Sequence, residues 1–245
     1  MAGMHITSSI EIEDYNYDLP DSKIAKFPLE MRDGSKLLFQ SGNAITEKRF
    51  SDMPKLLPAN SLLILNETKV VNARLLFKKR TGATIEIFCL EPIEPVTDFQ
   101  QAYQQKSPVV WKCFIGNASR WKSGRLELEF SIYDITVTLF AEKVSQLSEG
   151  FLVSFSWDNY DLTFSEIIHV VGQVPIPPYL NRKANTEDSK WYQTIYANHQ
   201  GSVAAPTAGL HFTKNVINNL QKNGIKTDKL TLHVGAGTFK PVISQ

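Results

Sequence analysis

At 245 residues, with 42% hydrophobic residues and a formal net charge of +1, the chain is long enough to bury the core of one large domain or two smaller ones. No apolar run reaches the ~20 residues a membrane helix needs, and Met1–Ile10 has neither the basic start nor the continuous hydrophobic stretch of a signal peptide, so a cytoplasmic protein is expected. A charge this close to zero argues against coating nucleic acid by bulk electrostatics and leaves room for a local basic groove.

Residues 1–60 alternate polar turns with brief apolar segments and offer no core of their own; Leu19-Pro20-Asp-Ser-Lys-Ile-Ala25 reads as a helix entry with proline at its start. Asn60-Ser-Leu-Leu-Ile-Leu-Asn66 is a continuous apolar run, the pattern of a strand buried on both faces, and it ends in a polar cluster, Asn66-Glu-Thr-Lys69. Six strand signals then follow: Ala73 to Lys79, Thr84 to Leu90, Val110 to Gly116, Leu126 to Phe130, Ile135 to Phe140 and Phe151 to Phe155. Thr81-Gly82, Ser123-Gly124 and Glu149-Gly150 separate them as turns. Alternation such as Leu126-Glu-Leu-Glu-Phe130 turns one face inward and one to water, and hairpin spacing over six short strands predicts a small antiparallel β-barrel. Cys89 and Cys113 fall inside apolar strand patterns and read as buried, inert thiols. The basic runs Lys78-Lys79-Arg80 and Arg120-Trp121-Lys122-Ser-Gly-Arg125 read as two hairpin tips.

After Trp157 helical signals return. Thr163 and Glu166 stand at capping-box spacing before a helix that Gly172 closes. A Pro175-Ile-Pro-Pro-Tyr179 turn, a helix over Asp188 to Ala197, a helix over Lys214 to Asn223 with Gly224 beyond it, and a strand at Lys229 to Val234 complete the pattern. The prediction is a mixed α/β domain built from residues 1–72 and 158–245, interrupted by a β-barrel domain over 73–157.

The segments with chemical content come late. Ser202-Val-Ala-Ala-Pro-Thr-Ala-Gly-Leu-His211-Phe-Thr213 and Thr231-Leu-His233-Val-Gly-Ala-Gly-Thr-Phe-Lys240 each set a histidine among glycines, threonines and small residues, where backbone amides can approach a ligand. A lone histidine in apolar surroundings is usually a hydrogen-bonded core residue; two in glycine-rich settings strengthen a functional reading. Gly235-Ala-Gly237-Thr238 forms either a nest of amides for a polar ligand or a tight turn, and the spacing leaves both open. Neither segment has the glycine spacing of a dinucleotide or phosphate loop, and no serine sits in a nucleophile elbow. The histidines, His5, His169, His199, His211 and His233, include no pair at helical metal-binding spacing backed by a carboxylate, so no metal is expected. Upstream, Arg32, Asp33, Ser35 and Lys36, then Asn66, Thr68, Lys69 and Arg74, gather in two short loops. Such sets can grip a nucleoside, a zwitterion or a phosphate, and can equally be turn residues and surface charges.

Taken together, Tyr17-Asp-Leu-Pro20, Arg32-Asp-Gly-Ser-Lys-Leu-Leu38, Asn66-Glu-Thr-Lys-Val-Val-Asn-Ala-Arg-Leu75, Pro175-Ile-Pro-Pro-Tyr179, Tyr192-Gln-Thr-Ile-Tyr196, Val203-Ala-Ala-Pro-Thr-Ala-Gly-Leu-His-Phe212 and Leu232-His-Val-Gly-Ala-Gly-Thr-Phe239 resemble the S-adenosylmethionine:tRNA ribosyltransferase-isomerase family of the queuosine pathway. The resemblance implies ribosyl transfer from S-adenosylmethionine to aminomethyl-deazaguanine at a tRNA wobble position, with rearrangement to epoxyqueuosine and release of adenine and methionine. The sulfonium acidifies the adjoining ribose carbon, so such a site needs a base and no metal or redox cofactor. His211 and His233 become candidates for base or proton shuttle. Thr207, Gly209, Gly235, Gly237 and Thr238 would line S-adenosylmethionine, and Arg32, Asp33, Asn66, Thr68 and Arg74 would position ribose, methionine or the tRNA base. The partner implied is tRNA, the chain a monomer with no membrane association.

This sequence departs from the family at Asn72, where proline is common, and at Lys36 and Lys69, where arginine is common; lysine lacks arginine's planar fork. Family members also continue well past the last motif, whereas this chain ends at Gln245, which implies an incomplete α/β domain, in a truncated or shortened form. Two alternatives follow: a non-catalytic module binding tRNA through the barrel and the Arg120-Trp121-Lys122 tip, and an S-adenosylmethionine-dependent enzyme acting on a small nucleoside.

Overall fold

A computed structural model of the chain describes residues 11–239. Met1–Ile10, read above as carrying no signal segment, and Lys240, at the end of the last motif, lie outside the described residues.

The N-terminal part is a run of short turns followed by a hairpin, β1 (Lys36–Ser41) and β2 (Ala44–Arg49), then α1 (Met53–Leu56). The helix entry expected at Leu19–Ala25 is a single 3-10 turn, Asp21–Lys23, with no buried residue, because no apolar stripe follows Pro20 to hold a longer helix against a core. β3 (Leu62–Asn66) and β4 (Thr68–Val70) come next. The apolar run of β3 is not buried on both faces: Leu65 is buried, while Leu62 and Ile64 on the other face are 58% and 47% exposed. Its described partner is one parallel strand, β12 (Lys226–Leu230), in register from Lys226 opposite Leu62 to Leu230 opposite Asn66. One face packs on a helix and the other stays open.

Six strands follow: β5 (Arg74–Lys78), β6 (Thr84–Glu94), β7 (Val109–Gly116), β8 (Leu126–Ile132), β9 (Ile135–Gln146) and β10 (Phe151–Trp157), with α2 (Phe99–Tyr103) between β6 and β7. They form one antiparallel sheet ordered β5-β6-β7-β10-β9-β8, curled until its edges approach, so the fold is mixed α/β with a nearly closed six-stranded barrel. The alternation read from sequence is physical: Ile85, Ile87 and Cys89 on β6, Trp111 and Cys113 on β7, Leu139 on β9 and Val153 and Phe155 on β10 are all at most 2% exposed. Each large side chain so buried contributes roughly 1.5–3 kcal/mol. Cys89 and Cys113 are buried free thiols on directly opposed strand positions. The β8–β9 hairpin closes on Tyr133 and Asp134, both left-handed at φ +50° and +61°. Without a glycine, sequence reading had no turn signal there.

Trp121 does not sit on an exposed tip. Its indole is fully buried and its Nε1 donates to Gly124 O at 2.8 Å, so it is no platform for stacking an RNA base, and the binding-module alternative loses the aromatic it relied on.

One end of the barrel is plugged by α3 (Phe164–Val171), whose N-cap Thr163 and Glu166 form the expected capping box. Phe164, Ile167 and Ile168 are buried, and Phe164 lies 5.2 Å from the Trp111 ring and 6.3 Å, stacked, from Tyr103. Helix α4 stops at Asp188–Trp191, short of the expected Ala197. The Asp188 carboxylate is spent on Arg182 and on the Asn185 N–H, and Gln193 leaves the helix to pair with Val70. β11 (His199–Ser202) runs parallel to β4, with His199 opposite Thr68. α5 (Lys214–Lys222), capped by Thr213, packs Val216 and Leu220 against Leu65, Phe212 and Ile225. β12 ends at Leu230, not Val234, since the ladder to β3 is exhausted at Asn66. The Asn66 amide then holds both backbone groups of Leu232 at 3.0 Å.

Candidate functional site

The structure places His211 and His233 in two different clefts. The first, of about 370 Å³, opens between the barrel and the β4–β11 layer. The loop after β12 brings His233, Gly235 and Gly237 to it; the barrel brings Glu91, Lys112 and Glu149; α2 brings Phe99. Phe99 lies 5.5 Å, tilted, from the His233 ring, and Lys112 Nζ is 3.6 Å from Glu91 Oε1. A Cβ placed on Gly235 or Gly237 would meet nothing within 4 Å, so this wall is open to a ligand.

His233 is held from behind. Its Nδ1 lies 2.9 Å from Thr68 Oγ1, Thr68 Oγ1 lies 2.8 Å from Ser202 Oγ, and the Val234 N–H donates to Ser202 Oγ at 2.8 Å. Thr68 and Ser202 are fully buried. Burial holds the His233 imidazole below its ordinary pKa; Asp98 pulls the other way and His199 adds to the lowering. The ring is therefore neutral near neutral pH.

The second cleft, of about 410 Å³, is aromatic. Phe27, Tyr179, Trp191 and Tyr192 line it together with Thr207 and His211 of the 3-10 turn Thr207–His211. Phe27 and Trp191 meet edge to face at 5.9 Å, and the His211 ring packs 5.3 Å from Phe50. No hydrogen bond ties the His211 nitrogens to the other described residues. Burial raises the Tyr192 phenol above its ordinary pKa, so it remains a donor.

The remaining residues singled out from sequence are engaged within the fold. Arg32, at the edge of the aromatic cleft, donates to the backbone carbonyls of Gln193 at 2.7 Å, Leu210 at 3.4 Å and Lys190. Asp33 is buried and accepts from Thr213 Oγ1 at 2.7 Å. Asn66 fixes the backbone leading to His233. Arg74 pairs with Glu86 at 2.7 Å and lines neither cleft. Gly209 is buried where a Cβ would lie 2.5 Å from Tyr196 Oη, and Thr238 Oγ1 bonds to Gly235 O at 3.2 Å. Sequence reasoning missed Ser202, Gly201, Phe99 and the barrel residues at the first cleft, and Trp191 at the second. Ser202 opens a motif already singled out; the barrel residues carried no local signal, being ordinary strand residues.

A family model described as queuosine biosynthesis protein matches residues 12–245. The S-adenosylmethionine:tRNA ribosyltransferase-isomerase of Trichlorobacter lovleyi is 39% identical over 234 residues, covering 94% of this chain and 62% of the relative. That of Aromatoleum aromaticum is 38% identical over 234 residues, covering 96% and 61%. The chain thus spans about three fifths of the length of these curated relatives. A solved S-adenosylmethionine tRNA ribosyltransferase from Thermotoga maritima is 25% identical with a TM-score of 0.33, over 91% of this chain and 59% of that one.

Proposed function

The chain belongs to the queuosine biosynthesis protein family, and on that premise we propose that it acts in the transfer and isomerisation of the ribosyl group of S-adenosylmethionine onto 7-aminomethyl-7-deazaguanine in tRNA. Its two parts, the α/β unit of residues 1–72 and 158–245 and the barrel of 73–157, work together because the first cleft draws walls from both.

The observation that carries the proposal is His233, neutral and braced by Thr68, facing an open cleft with small-residue walls. S-adenosylmethionine is a zwitterion with an added sulfonium, and a cleft holding Glu91, Glu149 and Lys112 offers opposite charge to each part. Gly235 and Gly237 let the ribose or methionine chain lie against backbone. The aromatic cleft suits the planar tRNA base, stacked on Trp191 and Tyr179 with His211 at its rim. In this reading Asn66, Thr68, Arg32 and Asp33 keep the walls of both clefts in place, and Thr207 lies on the rim of the second. His211, with no hydrogen bond to another described residue, stands at the second cleft as the candidate for proton exchange with the group bound there.

The test is release of adenine from S-adenosylmethionine by the 245-residue chain, with and without tRNA carrying the aminomethyl-deazaguanine base. Release that requires this tRNA is expected. No release from a folded chain that also fails to bind S-adenosylmethionine would overturn the assignment of the first cleft.

A further inference from the structure

Behind His233 lies a chain of groups whose hydrogens can be counted. Val234 N–H donates to Ser202 Oγ at 2.8 Å, Ser202 Oγ and Thr68 Oγ1 are 2.8 Å apart, and Thr68 Oγ1 is 2.9 Å from His233 Nδ1. Both hydroxyls are fully buried, so solvent does not complete their bonding, and each brings one hydrogen.

Two arrangements are available to neutral imidazole. In the first, Ser202 donates to Thr68 and Thr68 donates to Nδ1; every hydrogen finds an acceptor, and the ring's own proton is on Nε2. In the second, Nδ1–H donates to Thr68, and the Thr68–Ser202 bond can run either way, the Ser202 oxygen already accepting from Val234. One hydroxyl hydrogen, that of Ser202 or that of Thr68, then has no acceptor among the described residues, and a buried donor left unpaired carries its full desolvation cost.

We infer that Thr68 and Ser202 are positioning residues that fix neutral His233 as the Nε2–H tautomer, so that it presents a hydrogen-bond donor, not a proton-accepting lone pair, to the cleft. The class of atom it recognises is an acceptor: a nucleobase ring nitrogen, a ribose oxygen or a carboxylate. Imidazolium would need Nδ1–H and so the costlier arrangement, which agrees with the lowered pKa. The charged and titratable groups around the ring are Asp98 and His199, with Glu91, Glu149 and Lys112 across the cleft. The proton-accepting role at the first cleft then passes to a group other than His233.

The ligand class rests on the proposed function; the tautomer does not. The measurement is 15N NMR of the full chain labelled at histidine, with His233 assigned through His233→Gln, above the pH at which the ring titrates. A bare Nδ1 and a protonated Nε2 are expected; a protonated Nδ1 in the neutral ring overturns the inference. Thr68→Ala is expected to shift the Nδ1 signal toward that of an unbonded nitrogen, and Thr68→Ser to restore it. An unchanged Nδ1 signal in folded Thr68→Ala also overturns it, and the wild-type tautomer decides the matter should that variant not fold. Adding S-adenosylmethionine is expected to move the Nε2–H resonance; an unmoved resonance with the tautomer intact counts against the ligand reading alone.

Discussion

The His233 imidazole occupies the space in which a side chain at Gly201 would begin: a Cβ there would fall 2.4 Å from Cε1 and 2.6 Å from each ring nitrogen. Gly201 also has φ +154°, in the region that favours glycine. Of the two parties the ring can move, since it borders an open cleft, and moving it breaks the bond to Thr68.

Gly201→Ala is therefore expected to cost about 1–3 kcal/mol through backbone strain and the lost hydrogen bond, and to abolish ordered placement of His233. Denaturant unfolding measures the first and the histidine 15N spectrum the second. Unchanged stability with the spectrum intact would show that the ring does not fill this space.

Stability is expected to depend on pH through His233. Its folded pKa lies below the ordinary 6.5, burial being the main cause, so between the two values the unfolded chain binds more protons. Stability then rises with pH across that interval and is fully present above about 6.5. Urea midpoints across pH 5–8 in the wild type and His233→Gln check this, the variant losing that part of the slope.

Arg182 and Asp188 form a bidentate pair at 2.7 and 2.6 Å, with Asp188 fully buried. Burial pushes the Asp188 carboxyl up, but hydrogen bonds from Arg182 and the Asn185 N–H outweigh it and hold the pKa below the ordinary value. The folded state thus takes up this proton less readily than the unfolded one; the contribution is present above about pH 3.9 and is lost as pH falls through the folded value. Asp188→Ala, which strands the arginine, is expected to cost about 3–5 kcal/mol, read from urea unfolding at pH 7. A cost under about 1 kcal/mol would mean the pair is not closed in solution.

Trp111, Trp121 and Trp157 are at most 2% exposed, whereas Trp191 lines the aromatic cleft. Acrylamide is therefore expected to quench one tryptophan class, absent in Trp191→Phe. A nucleoside of the substrate base is expected to quench the same class, and Trp191→Ala to weaken its binding by about 1–3 kcal/mol. Quenching that persists in Trp191→Phe would place the base elsewhere.

What the sequence determined by itself was local. The barrel strands follow from period-two alternation, the α3 start from a Thr163–Glu166 spacing of three residues, and the two histidine segments from composition within a dozen positions. Where the neighbour that matters is distant, the same reading runs out. The apolar run of β3 promises burial on both faces, yet only its pairing with β12, from the far end of the described chain, shows that Leu62 and Ile64 stay exposed. Trp121, beside basic residues, looks like a tip and is packed inside the barrel. The bonds that brace His233 join residues 165 and 134 positions apart. Tertiary structure alone decided that Thr68 and Ser202 stand behind that ring, that His211 belongs to a separate cleft, and that Arg32, Asp33 and Asn66 hold backbone and caps. A hydrogen bond is directional and short, and its partner is chosen by the path of the whole chain, which no local pattern encodes.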